Sequence, residues 1–135
     1  MDTTQLKDLL ADPESIAVLA SGSPEGEPNV AVFGSPRLLD DGRVMLALGD
    51  NLTWENLSRT RRATLMVFKP GEHIFRWQGV RAYLELDDEE TEGALFQELL
   101  ASVERQAGAM AARAVRRAVF LQVKRLRPLI DMSRS

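Results

Sequence analysis

Cysteine is absent from the 135-residue chain, which excludes disulfides, thiolate nucleophiles and cysteine-ligated metals. Histidine occurs once, at His73, so one copy of the chain cannot build a histidine metal site. No apolar run is long enough to span a bilayer. Neither sign of charge dominates: 17 Lys and Arg against 20 Asp and Glu leave a net charge of −3. Nothing in that balance points to nucleic acid or to an anionic membrane. The opening stretch MDTTQLKDLLADPE lacks the basic region and apolar run of a signal peptide, so a soluble cytoplasmic protein is the expectation. Catalytic signatures are missing too. There is no Ser-His-Asp context, no paired carboxylates with an evident site, no P-loop and no GxGxxG. Any redox chemistry must therefore come from a bound cofactor, with the chain supplying position and electrostatics.

What is present is organised around residues 43–68, RVMLALGDNLTWENLSRTRRATLMVF. Val44, Leu46 and Leu48 alternate with Met45 and Ala47, as in a strand with a buried face. Gly49, Asp50 and Asn51 then supply turn residues. Thr53 is a candidate N-cap, with Leu52 and Leu57 placed for a hydrophobic staple. About two turns of helix to Thr60 follow, then an apolar strand over 63–68, ended by Lys69-Pro70-Gly71. The helix start offers free N–H groups, a positive dipole end and a hydroxyl, which together suit a phosphate. Arg59, Arg61 and Arg62 add charge at the other end. The plainer reading is a capped connector with solvated arginines, and local features do not decide between the two.

The rest of the chain reads as short elements. A first helix capped at Thr3 or Thr4 carries Leu6, Leu9 and Leu10 inward and closes at Asp12-Pro13. Strands follow over 16–21 and 29–34, joined by the loop GSPEGEP. Pro36 marks an edge or a bend, and Asp40-Asp41-Gly42 marks a tight turn. Residues 74–86 alternate as a further strand, with Gly79 as a bulge or a close-approach point. The acidic run 87–92 lacks the ligand spacing of a calcium loop and reads as a solvated turn. Leu95, Phe96, Leu99, Leu100 and Val103 keep helical spacing until Gly108 weakens or ends the helix. Residues 115–126 return to alternation. Arg113, Arg116, Arg117, Lys124, Arg125 and Arg127 form a basic set with no intervening acid. In an acidic chain they are expected to solubilise a strand face, not to bind nucleic acid. The sum is a mainly β (α+β) single domain over 1–135: an antiparallel barrel of six strands with two or three flanking helices.

These segments in this order resemble the FMN-binding split-barrel proteins related to pyridoxamine 5′-phosphate oxidase, especially the small single-domain ones. The resemblance runs roughly from Leu6 to Leu129. It rests on GSPEGEPNVAVFGSP, DDGRVMLALGD, NLTWENLSRTRRATLMV, RWQGVRAYLEL and ARAVRRAVFLQVKRLRPL. The third segment is similar to the family's K-T-x-x-N-L-x-R-x-x-R-x-x-L run. The fold the resemblance implies is an antiparallel six-stranded split β-barrel. Its cofactor is FMN, bound across the two-fold interface of a homodimer.

By the same resemblance, Ala31, Val32, Phe33, Gly34 and Ser35 lie beside the flavin ring. Asn51, Leu52 and Thr53 hold the phosphate, and Asn56 and Arg62 match later positions of the motif. Trp77 and Gln78 reach the ring from the partner subunit, although a plain interface or core tryptophan is the alternative. Trp54 reads as core and His73 as a loop histidine. One departure matters: relatives carry a lysine beside the phosphate where this chain has Leu52. Arg61, Arg62 or an arginine of the partner subunit is the expected replacement. Two functions follow. One is a small FMN-dependent oxidoreductase or electron carrier. The other is a split-barrel binding module that has lost tight FMN binding, or that takes another phosphorylated or deazaflavin cofactor.

Overall fold

The computed structural model describes residues 1–34 and 36–132. Among them, seven strands form one sheet: β1 (Ile16–Gly22), β2 (Pro28–Phe33), β3 (Arg37–Leu38), β4 (Val44–Leu48), β5 (Arg62–Lys69), β6 (Gln78–Glu90) and β7 (Arg117–Pro128). Four helices accompany them: α1 (Thr4–Ala11), α2 (Leu52–Thr60), α3 (Ala94–Ala107) and α4 (Ala109–Ala114). The strands lie in the order β2-β1-β5-β6-β7-β4-β3. Each neighbouring pair is antiparallel, and the sheet curls into a half-barrel. The expected mainly β, antiparallel fold is the fold found. The strand beyond the expected six is β3, two residues that pair with Val44 and Met45. The turn after it is the expected one: Gly42 donates to the Leu39 carbonyl at 2.9 Å, and the Asp41 carboxylate accepts from the Arg43 N–H at 3.0 Å.

Period-two burial sets the interior. In β5, Ala63, Leu65 and Val67 are buried while Thr64 and Met66 are half-buried on the other face. The same alternation puts Ala17 and Leu19 of β1, and Ala82 and Leu84 of β6, into one core. Leu6 and Leu9 of α1 and Leu57 of α2 close that core. Shortening Leu57 to alanine should cost about 2–5 kcal/mol. A smaller cluster lies across β4 and β7, where Phe96 and Leu99 of α3 meet Met45, Ala118 and Phe120. Gly108, with φ at 93°, separates α3 from α4, as expected of a helix-ending glycine.

Three expectations need correction. Residues 74–76 are a single 3-10 turn, and the strand begins only at Gln78. The acidic run is not wholly a turn, because Asp87, Asp88, Glu89 and Glu90 continue β6. They do so because β7 offers them partners, Asp88 opposite Phe120 and Glu89 opposite Val119. The carboxylates are also matched across strands: Asp87 meets Arg43 at 3.2 Å and Gln122 at 3.1 Å. Cross-strand pairs of that kind offset the poor strand preference of acids. Lastly, Thr3 is the N-cap of α1 as expected, but its hydroxyl makes no cap bond; instead the Asp2 carboxylate accepts from the Thr4 N–H at 2.9 Å. Gly79 is a close-approach point and not a bulge, since a Cβ there would lie 2.7 Å from the Val67 carbonyl. The irregularities of β6 come later, between Tyr83 and Leu84 and between Leu86 and Asp88.

Candidate functional site

Hydrophobic burial leaves few places for polar side chains. Among the described residues the buried polar ones are Ser21, Thr53 and Asn56, at 6%, 3% and 3% exposure. All three meet under α2. Thr53 and Asn56 are three apart and so share a helix face. The Asn56 amide donates to the Ser21 hydroxyl at 3.2 Å. Asn29 stands opposite Ser21 in the β1–β2 register, and its amide donates to the Thr53 hydroxyl at 3.4 Å. A polar floor thus runs from the edge strand β2, across β1, to the first turn of α2. Ser21 and Asn29 were not identified from sequence. The available signal was an asparagine within a strand, a residue strands disfavour.

The helix begins one residue earlier than its expected cap. Asn51 is the N-cap, and its side-chain oxygen accepts from the Trp54 N–H at 2.9 Å. Thr53 is instead buried within the first turn. Leu52, 49% exposed, forms no staple with the buried Leu57. Asparagine displaces threonine as cap because its longer side chain reaches the N3 amide while Thr53 packs inward. The N–H groups of Leu52 and Thr53 precede any intrahelical partner and remain available. At the far end, Arg61 takes the left-handed C-cap position at φ 64°, and its guanidinium donates to the Leu86 carbonyl at 2.8 Å. Arg61 is therefore committed away from the helix start. Arg62 also lies beyond the C-terminal end, about 15 Å along the helix axis from Asn51. It lines a cavity of about 660 Å³ with Ser21 of the polar floor and with Thr64, Tyr83, Glu85, Lys124 and Arg125.

Two cations lie by the helix start: Arg116, 3.7 Å from the Asp50 carboxylate, and Arg117, the first residue of β7. Its guanidinium donates to the Gly49 carbonyl at 2.8 Å and to the Asp50 carboxylate at 2.9 Å. It also lies over the Trp54 ring at 4.3 Å from the centroid. Trp54 is half-buried against the main core, as expected.

The remaining predicted residues split into two groups. Ala31, Val32 and Phe33 follow Asn29 along β2, with Gly34 just past its end, and among the described residues β2 pairs with β1 alone. Its outer edge therefore presents unpaired N–H and C=O groups. Val32 is 74% exposed, while Phe33 packs on the core. Ser35 lies outside the described residues. Gln78 pairs with Lys69 at the opposite end of β5 from Arg62, so Trp77 and Gln78 lie far from the cavity that Arg62 lines. That strand separates the two ends by about 23 Å at ~3.3 Å per residue. Trp77 stacks on Phe68 at 5.5 Å and lines a cavity of about 830 Å³ with Phe75, Leu126, Leu129 and Met132. His73 is an exposed loop residue ahead of the 3-10 turn. No group of three or more His, Asp or Glu residues fit to hold a metal occurs among the described residues, and no described helix is long and apolar enough to cross a membrane.

No family model matches the chain, and no curated protein matches its sequence. Solved structures do match it. An FMN-binding protein from Syntrophomonas wolfei is similar over 96% of this chain and 86% of its own, with a TM-score of 0.82 and 18% identity. HutZ, the heme storage protein of Vibrio cholerae, matches over 95% of both chains at a TM-score of 0.71 and 15% identity. An F420 reductase matches over 90% of this chain and 94% of its own at a TM-score of 0.68 and 17% identity. At 18% identity or below, such likenesses speak for architecture alone. That architecture is the split barrel anticipated from the resemblance to the pyridoxamine 5′-phosphate oxidase-related proteins.

Proposed function

We propose that this chain is an FMN-binding flavoprotein, a small cytoplasmic oxidoreductase or electron carrier that works as a homodimer. The observation that carries the reading is the polar floor of Asn29, Thr53, Ser21 and Asn56 beneath the open start of α2. The Thr53 hydroxyl accepts from Asn29, and its own hydrogen is bonded to no acceptor among the described residues. That hydrogen and the N–H groups of Leu52 and Thr53 fit a phosphate, since each is a donor at the positive end of a helix. The open edge of β2 fits the polar rim of a flavin ring, because its unpaired groups both donate and accept. Likeness to the Syntrophomonas wolfei FMN-binding protein supports the same ligand. FMN, when bound, supplies the redox chemistry. The chain holds the phosphate at Leu52 and Thr53 and lays the ring beside Ala31, Val32, Phe33 and Gly34. Trp77 and Gln78 of a second copy complete the pocket that one copy leaves open.

A second reading draws on the likeness to an F420 reductase: the same phosphate site then holds a deazaflavin. Absorbance spectra of purified protein, alone and after addition of FMN, F420 or heme, separate these readings. The FMN reading expects a protein-bound flavin spectrum that survives desalting. Retention of F420 or heme with no retention of FMN overturns it.

A further inference from the structure

Thr64 lies on the face of β5 turned away from the core, and the strand register builds a row across it. Ala20 of β1 stands opposite Thr64 on one side. Tyr83 of β6 stands opposite on the other, and Arg125 of β7 opposite Tyr83. One step along, Arg62 pairs with Glu85. These residues, with Gly22 and Lys124, line the cavity of about 660 Å³, within the range of small-molecule sites, roughly 300–1,000 Å³. The Ser21 side chain turns inward to Asn56, so the cavity opens on the far side of β1 from the polar floor. Strict alternation would send Lys124 and Arg125 to opposite faces of β7. They share the cavity because of the irregularity between Tyr83 and Leu84. Tyr83 pairs with Arg125 and Leu84 with Val123, which leaves Lys124 as an extra residue. A bulge of that kind re-aims a side chain. Arg125 lies over the Tyr83 ring at 4.2 Å from the centroid, which orients its guanidinium and leaves the N–H donors free of hydrogen bonds among the described residues. Nor does Arg62, Lys124 or Arg125 form an ion pair among those residues. Arg81, next along the same face, is engaged by the Pro128 carbonyl and by Asp131. The cavity thus gathers three cations against one acid, Glu85.

We infer that this cavity is a second ligand site, one that takes a small di- or tricarboxylate. The inference does not rest on the flavin reading above. Two walls carry the positive charge. Arg62 comes from β5, and Lys124 and Arg125 come from β7, two strands away, about 10 Å at ~4.8 Å per strand. Charge so divided suits a ligand with anionic groups at more than one point. Guanidinium forks match carboxylates two bonds at a time. A compact phosphate fits less well. All four lining strands are interior strands of the sheet, so their backbone donors serve the neighbouring strands and do not converge on one point. Glu85, on the strand between the two walls, accepts from a hydroxyl in the middle of the ligand.

The test is calorimetric titration of citrate into the parent protein at low ionic strength. Citrate should bind saturably, one per chain, and more weakly as salt is raised. Arg62, Lys124 and Arg125 are exposed, so their substitution leaves the core intact, and circular dichroism checks that each variant folds. Arg62→Gln, Lys124→Gln and Arg125→Gln should each weaken citrate about three- to tenfold, the scale of one charge-assisted contact at a partly exposed site. Glu85→Gln should tighten it, because a like charge is lost while an acceptor oxygen remains. Arg105→Gln removes an exposed cation of α3 outside the cavity and should leave the affinity unchanged. Absence of saturable citrate binding overturns the inference. So does a loss in Arg105→Gln equal to that of the cavity variants, since net charge then suffices. Inorganic phosphate bound as tightly as citrate overturns the assignment to carboxylates.

Discussion

Leu52 and Thr53 are neighbours with opposite environments, the first 49% exposed and the second 3%. Their substitutions should therefore act in opposite directions. Thr53→Ala removes a hydroxyl from the polar floor and leaves the Asn29 amide without its acceptor. A hydrogen bond to a charged group is worth roughly 1.5–3 kcal/mol, so FMN should bind about ten- to a hundredfold more weakly while riboflavin is nearly unaffected. Leu52→Lys should tighten FMN, because an exposed position at a helix start accepts a long cation without repacking. Flavin fluorescence titration measures both. Gly79 poses a packing question instead. Gly79→Ala sets a methyl against the Val67 carbonyl, the Phe68 Cβ and the Leu129 side chain, all within 2.9 Å. Two of these neighbours belong to the paired strand β5, which cannot move alone, so overpacking should cost about 1–3 kcal/mol. A lowered thermal midpoint is the expected result.

At the scale of elements, α2 shows what the sequence made legible and what it hid. Its position between two strands follows from the turn residues Gly49, Asp50 and Asn51 and from the apolar runs on either side. Its cap did not, because Asn51 and Thr53 are both good N-cap residues. Only the packing of Thr53 onto Asn29 decides which oxygen faces the free amides. Asn51→Ala should cost about 1 kcal/mol in a denaturant melt and should also blunt FMN binding by loosening the first turn. Strand β6 was half legible. Alternation over 78–86 marked it, but the acidic residues after Leu86 carried a solvent-exposed pattern. Their strand geometry depends on β7, some thirty residues further on, with Glu90 opposite Ala118. The arginines were hard to place for the same reason. Proximity in sequence favoured Arg61 and Arg62 as phosphate partners. Pairing of β7 with β4 sets Arg117 opposite Leu48, beside the turn into α2, while Arg61 is bonded to Leu86. Spacing reports neighbours along the chain, and a site assembled from β1, β2, α2 and β7 is beyond its reach.

At the scale of the whole molecule, the proposed shared pocket calls for two copies. Val30 and Val32 are 65% and 74% exposed on one face of the edge strand β2. Ile74 and Phe75, at 54% and 66%, are exposed beside Trp77. Apolar side chains so placed call for a cover, which a second copy supplies in the proposed function. Sedimentation of the parent protein should show a dimer at micromolar concentration. Val32→Glu should shift it toward monomer and weaken FMN in parallel. A parent monomer would contradict both the dimer and the shared pocket. The central claim is that the start of α2 receives a flavin phosphate. Titration of the parent dimer with FMN and with riboflavin tests it most directly. Saturable binding of one FMN per chain is expected, at least about tenfold tighter than riboflavin, as a charge-assisted phosphate contact requires. Equal affinity for the two flavins, or no saturable binding of FMN, would contradict it.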